Sequence, residues 1–129
     1  MLSDNTILIS NGDGIMNLAE FYNAIESDYN EIKRNLMSDE IIEELVLEFL
    51  KDNSFNSLKN AFEAGDIDSA FLGAHTLKGV SASLGFKSLA VPVSAITEKL
   101  RNKKMPSSEE MEQIERQYNK VINSINEYK

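Results

Sequence analysis

Few side chains in this chain can do chemistry beyond the ordinary ionisation of a surface. Its 129 residues include one histidine, His75, and neither cysteine nor tryptophan. Without cysteine there is no thiolate nucleophile, no disulfide framework and no Cys-based zinc or iron–sulfur site. A single histidine excludes a His-rich metal centre. No glycine-rich phosphate loop or other nucleotide motif is present, so the chain has nothing with which to bind ATP. Asn11-Gly12-Asp13-Gly14 looks superficially like a calcium loop, but the alternating oxygen ligands and the later bidentate Glu are missing. What remains is one imidazole, with Lys78 three residues on and Gly79 four residues on.

A helix must position that imidazole. Asp66 is an N-cap residue, Gly85 is a stop, and no strand-like alternation lies between them. At about 100° per residue, Ala70, Gly73, Leu77, Val80 and Leu84 gather on one side and form the expected core stripe. His75 falls opposite, with Asp68, Phe71, Lys78, Gly79 and Ala82. An outward histidine alone is ordinary. Gly79 is not, because an exposed mid-helix glycine costs about 1 kcal/mol against alanine. It makes sense if something approaches the backbone beside His75. Phe71 is a large apolar group on the same face, which suits either a contact under the N-terminal helices or a docking role.

The other elements are also helical. Leu18, Phe21, Tyr22 and Ile25 recur at helical steps after Asn17. Ser27 is the expected cap of a short second helix with Tyr29, Ile32 and Leu36. Ser38 caps a third, with Ile41, Ile42, Leu45, Val46, Phe49 and Leu50 on one stripe. Asp52-Asn53-Ser54 interrupts it before Phe55, Leu58, Ala61 and Phe62 lead to the stop at Gly65. Ser88 is the expected N-cap of a helix with Leu89, Val93, Ile96 and Leu100. That start makes Pro92 the fourth helical residue, where it forfeits one early hydrogen bond. Pro106 breaks the chain, and Ser107 with Glu110 forms a capping box for the last helix. Four longer amphipathic segments with short connections predict an all-α fold, an antiparallel up-down-up-down four-helix bundle. The short N-terminal helices pack across one end. Residues 1–15 read as an N-terminal arm, disordered or left over from cloning, with a short strand at Ile7–Ser10. Residues 16–129 form the bundle domain.

The run Ala74-His75-Thr76-Leu77-Lys78-Gly79-Val80-Ser81-Ala82-Ser83-Leu84-Gly85-Phe86 resembles the signature of histidine-containing phosphotransfer (HPt) domains, His-x-Leu-Lys-Gly followed by small residues and a glycine. Ala64-Gly65-Asp66 and Leu89 also sit where that family places its turn and its next helix. The resemblance covers nearly everything from residue 17 onward. It implies that His75 accepts a phosphoryl group on Nε2 from a receiver-domain aspartyl-phosphate and passes it to another receiver. Imidazole suits this task, since its ordinary pKa of about 6.5 leaves it mostly neutral near pH 7. Lys78 would offset phosphate charge as a point cation. Gly79, Phe71, Ala82, Leu72 and Asp68 would form the receiver-docking surface, and the small Ser81 and Ser83 would keep it unobstructed. The resemblance implies a phosphoryl carrier that is not itself an enzyme. It needs no cofactor of its own, because the receiver supplies the magnesium. One departure concerns the Gln or Glu that the family often carries on the next helix. Thr97 stands there, with Glu98 and Arg101 as nearby substitutes. Pro92 is a second departure.

Charge and length narrow the partners further. Thirteen basic and twenty-one acidic residues leave a net charge of −8, which disfavours nucleic acid and anionic membranes. No apolar run approaches the roughly 20 residues of a membrane span. The expectation is a cytoplasmic, free-standing, bacterial-type monomer serving response-regulator receivers and a hybrid histidine kinase. Two alternatives remain at this level. One is the phosphorylated substrate domain of a chemotaxis-type or hybrid kinase. The other is a non-phosphorylated helical adaptor that binds receivers.

Overall fold

The computed structural model describes residues 16–129, so the expected arm, strand and turn at residues 1–15 lie outside the described residues. Seven α-helices follow one another: α1 (Leu18–Ala24), α2 (Tyr29–Leu36), α3 (Asp39–Glu48), α4 (Ser54–Ala64), α5 (Ile67–Ser83), α6 (Lys87–Arg101) and α7 (Ser108–Tyr128). A 3-10 turn at Phe49–Lys51 separates α3 from α4. No strand occurs among the described residues.

Local chemistry explains most of the boundaries. Asn17 and Ser107 each accept from a backbone N–H three residues on and receive the reciprocal Glu side chain, giving two complete capping boxes. Ser38 and Asp66 cap α3 and α5, as their sequence positions suggest. Gly65 and Gly85 adopt left-handed φ values of 71° and 75° and turn the chain between α4, α5 and α6. Asp52 accepts from both the backbone and the hydroxyl of Ser54, and this local turn ends the segment begun by α3.

Two caps differ from expectation. Asp28, not Ser27, caps α2, because its carboxylate reaches the N–H groups of Asn30 and Glu31. The Ser27 hydroxyl instead donates to the Ile25 carbonyl and accepts from the Lys87 N–H. Helix α6 starts at Lys87 behind Phe86, without a side-chain cap, two residues earlier than an N-cap at Ser88 implied. Ser88 donates its hydroxyl to the Ile25 carbonyl. Tertiary partners have thus taken both serines from capping. Pro92 is the sixth helical residue, so the Ser88 carbonyl four residues back loses an intrahelical donor.

Helix α5 packs against both α4 and α6, while α7 packs against α6 and α1. The core is continuous from Leu18 to Ile125. Phe86, fully buried between α5 and α6, meets Phe21 at 6.0 Å and Phe49 edge-on at 5.3 Å. Helix α1 is tied to the end of α5 by the buried Tyr22 hydroxyl, which donates to the Leu84 carbonyl at 2.7 Å. Burial raises the Tyr22 phenol pKa far above its ordinary value, so the donor keeps its proton. Tyr22→Phe should therefore cost about 1 to 3 kcal/mol, because it strands a buried acceptor. Urea unfolding checks this, and an unchanged midpoint would show the bond to be inconsequential.

The core face of α5 differs in detail from the expected stripe. Ala70, Gly73, Leu77 and Leu84 are buried as expected, and Ala74 and Ser81 join them. Val80 is only half-buried. Helix α5 is covered on two sides, by α4 and by α6, and the periodicity of α5 alone does not contain that. Ser81 tolerates full burial because its hydroxyl donates to the Leu77 carbonyl at 2.6 Å. It therefore does not belong to the exposed neighbourhood of His75, as had been expected of it; Ser83 and Ala82 do.

Candidate functional site

His75 stands midway along α5 and is exposed, as are Leu72, Thr76, Gly79, Ala82 and Ser83. Both ends of the helix are anchored, by the Asp66 cap and by the Gly85 turn, so the imidazole rides on a rigid support. Beside it lies an open groove of about 690 Å3. Leu45, Phe49, Val80 and Leu84 provide its apolar lining. Glu48, Lys51 and Asp52 supply charge, and His75, Thr76, Gly79 and Ser83 form the α5 wall.

The two glycines of α5 have opposite circumstances. A Cβ on Gly73 would sit 2.8 Å from the Leu58 backbone nitrogen and 3.0 Å from its Cα. Glycine there is the condition for α4 and α5 to touch. A Cβ on Gly79 would meet nothing within 4 Å. No internal contact accounts for Gly79, so its helix-propensity cost has no structural return inside the described chain.

Lys78 is half-buried and forms no ion pair among the described residues. It lines a second groove, of about 340 Å3, with Asp28, Glu31, Ala82 and Lys87. His75 and Lys78 thus share a helical turn but border different depressions. Asp68 lies at the start of α5, about two turns before His75, and pairs with Lys103 at 2.7 Å; both side chains are mostly exposed. Leu72 is 64 % exposed, a large apolar side chain one turn before His75.

Phe71 is half-buried. Its ring stacks on His75 with centroids 5.7 Å apart and planes 20° apart, and the Arg101 guanidinium lies 5.0 Å from its centroid. Of the two suggested substitutes for the missing Gln or Glu, Arg101 therefore reaches the surroundings of His75, through Phe71. Thr97 is fully buried and donates its hydroxyl to the Val93 carbonyl at 2.7 Å, so it is committed within α6. Leu45 and Lys51 were not singled out by sequence reasoning. They come from a different helix and the turn behind it, and no local pattern links them to residue 75.

Among the described residues, no group of three or more His, Asp or Glu side chains is arranged to hold a metal ion. None of the described helices is long and apolar enough to cross a membrane. No curated protein and no solved structure matched this chain. The family model of the Hpt domain matches residues 16–124, a span that takes in α1 to α6 and most of α7. Hpt domains are phosphocarriers, generally without catalytic activity, that exchange phosphoryl groups with receiver domains and histidine kinases. An outward histidine on a helical bundle is the arrangement that such a carrier requires, and a match over most of the sequence leaves no other placement: the chain belongs to the Hpt domain family, and its chemistry is histidine phosphotransfer in two-component phosphorelay signalling.

Proposed function

We propose that His75 is the phosphoryl-carrying residue of a phosphorelay intermediate, loaded by one receiver and unloaded by another. The observation that carries this reading is the exposure of the chain's only imidazole beside an open groove and a glycine with free space around it. The lone pair of Nε2 attacks the phosphorus of a receiver aspartyl-phosphate. The P–N bond forms as the acyl P–O bond breaks, and the leaving electrons return to the aspartate carboxylate. Nδ1 keeps its proton during the attack, so the ring becomes a phosphoimidazolium whose positive charge is offset by the phosphoryl oxygens; loss of that proton to water leaves it neutral, and no acid or base is needed from this chain. Transfer onward reverses these steps at a second aspartate. Magnesium and the acidic pocket belong to the receiver, and this chain contributes position and local charge.

Gly79, Ala82 and Leu72 offer the receiver a low, partly apolar surface around His75, with Asp68 and the edge of Phe71 at its margin. The partners are response-regulator receivers and a hybrid histidine kinase, met by a cytoplasmic monomer. The scaffold is α4–α7 as an antiparallel up-down-up-down bundle with α1–α3 across one end. The tight turns at Gly65 and Gly85 support it, as does the Lys103–Asp68 pair joining the end of α6 to the start of α5. Residues 16–129 are the domain.

Transfer of radioactive phosphate from a labelled receiver tests this function directly. Acid-labile, base-stable label must appear on the protein, and wild type that takes none from any competent receiver refutes it. Lys78→Ala should slow transfer or shorten phosphohistidine lifetime by up to about tenfold, the effect of one charge-assisted contact at an accessible site. Helicity should stay unchanged. A collapse of the circular dichroism signal would show that Lys78 supports the fold and not the phosphoryl group.

A further inference from the structure

We propose that Phe71 and Arg101 are positioning residues for His75, with the Phe71 ring as a platform that fixes the imidazole and Arg101 as its clamp. This rests on the reading of His75 as the phosphoryl carrier, but its geometry is separate from that reading. An exposed histidine on a helix ordinarily turns freely about two side-chain bonds. Here the spacing of four residues brings the Phe71 ring alongside the imidazole, and the planes are nearly parallel, at 20°. Phe71 is itself restrained. Its body packs against the core, and the guanidinium of Arg101 lies 5.0 Å from its ring centroid. The negative face of the ring attracts that cation. Arg101 comes from the last turn of α6 and is steadied by Glu98 at 3.4 Å. Restraint therefore runs from α6 through a cation, then an aromatic ring, to the imidazole.

The consequence is orientational. Attack on phosphorus needs Nε2 in line with the bond that breaks, and a ring held near one orientation meets that condition more often than a rotating one. Phe71 and Arg101 touch neither the phosphorus nor the leaving aspartate in this scheme. They act through His75.

The single histidine makes the test readable. In untagged protein, the imidazole carbon-bound protons report the stack without assignment, because a neighbouring ring face shifts them upfield. Phe71→Leu should move them downfield, and Arg101→Gln should move them the same way by less. In single-turnover transfer from a phosphorylated receiver, Phe71→Leu should lower the saturating rate about tenfold, and Arg101→Gln about threefold. The half-saturating receiver concentration should stay within about twofold of wild type for Arg101→Gln, which lies outside the docking surface. Phe71→Tyr, which keeps the ring, should restore both the signals and the rate.

Unchanged saturating rates in the two variants would overturn the proposal. So would a loss confined to half-saturation, which would make Phe71 a docking contact only, or imidazole signals that do not move. If Phe71→Leu fails to fold, Arg101→Gln decides, because it alters a half-exposed side chain outside the core. Wild type that accepts no label would instead sink the carrier reading itself, and would do so before any variant is compared.

Discussion

A His75→Gln variant should take no label from a phosphorylated receiver that loads wild type fully. The size of this effect follows from composition as much as from geometry. The chain has no second histidine and no cysteine, so no other soft nitrogen or sulfur nucleophile can replace the imidazole. Glutamine is similar in reach, but its amide nitrogen is delocalised and not nucleophilic. The label on wild type should survive base and be lost in acid. His75 is exposed and donates no packing to the core, so the variant should unfold within about 0.5 kcal/mol of wild type. It should also still bind receivers, which separates loss of chemistry from loss of docking. Label on His75→Gln at the wild-type level would remove His75 from the mechanism. Loading of another residue type, with acid-stable chemistry, would have the same force.

The second large effect sets the two glycines of α5 against each other. Gly73→Ala places a methyl group 2.8 Å from backbone atoms of Leu58. Backbone cannot swing aside as a side chain can, so α4 and α5 must separate along their contact. Overpacking of this kind costs about 1 to 3 kcal/mol, and the better helix propensity of alanine returns less than about 1 kcal/mol of it. A fall in Tm of roughly 2 to 8 °C is expected for a domain of this size. Gly79→Ala should do the opposite and stabilise by about 0.5 to 1 kcal/mol, since the methyl enters open space. Gly79→Gln should share that stability yet weaken receiver binding about tenfold, by obstructing the approach to His75. Paired melting curves and a binding titration read all three. Equal melting shifts for the two alanines would contradict the close contact at Leu58, and undiminished receiver binding by Gly79→Gln would remove the steric reason for that glycine.

Part of the site was legible because it is local. The Asp66 cap, the Gly65 and Gly85 turns and the spacing of apolar residues define α5, and 100° steps around its axis put His75 on the outer side. The same arithmetic placed Asp68, Gly79 and Ala82 outward. Sequence reasoning failed at Ser81, which the family resemblance, and not this arithmetic, put beside His75. The hydroxyl satisfies itself on the Leu77 carbonyl and so can be buried at little cost. It failed also at Ser27 and Ser88, whose side chains had better partners across the fold than at the helix starts they resemble. The interruption at Asp52–Ser54 was readable, but not that the 3-10 turn before it brings Lys51 to the groove beside His75.

By itself the sequence determined that residues 16–129 are helical and that one of these helices carries a solitary outward imidazole followed by Lys78 and Gly79. These properties depend on residue type and on neighbours within a few positions. Only the tertiary structure decided which glycine is needed for packing and which stands clear, that Lys78 and His75 border different grooves, and that Arg101 reaches His75 through Phe71. Periodicity states the direction in which a side chain leaves its helix. What it meets there depends on helices that are remote in the chain, and on how closely they approach.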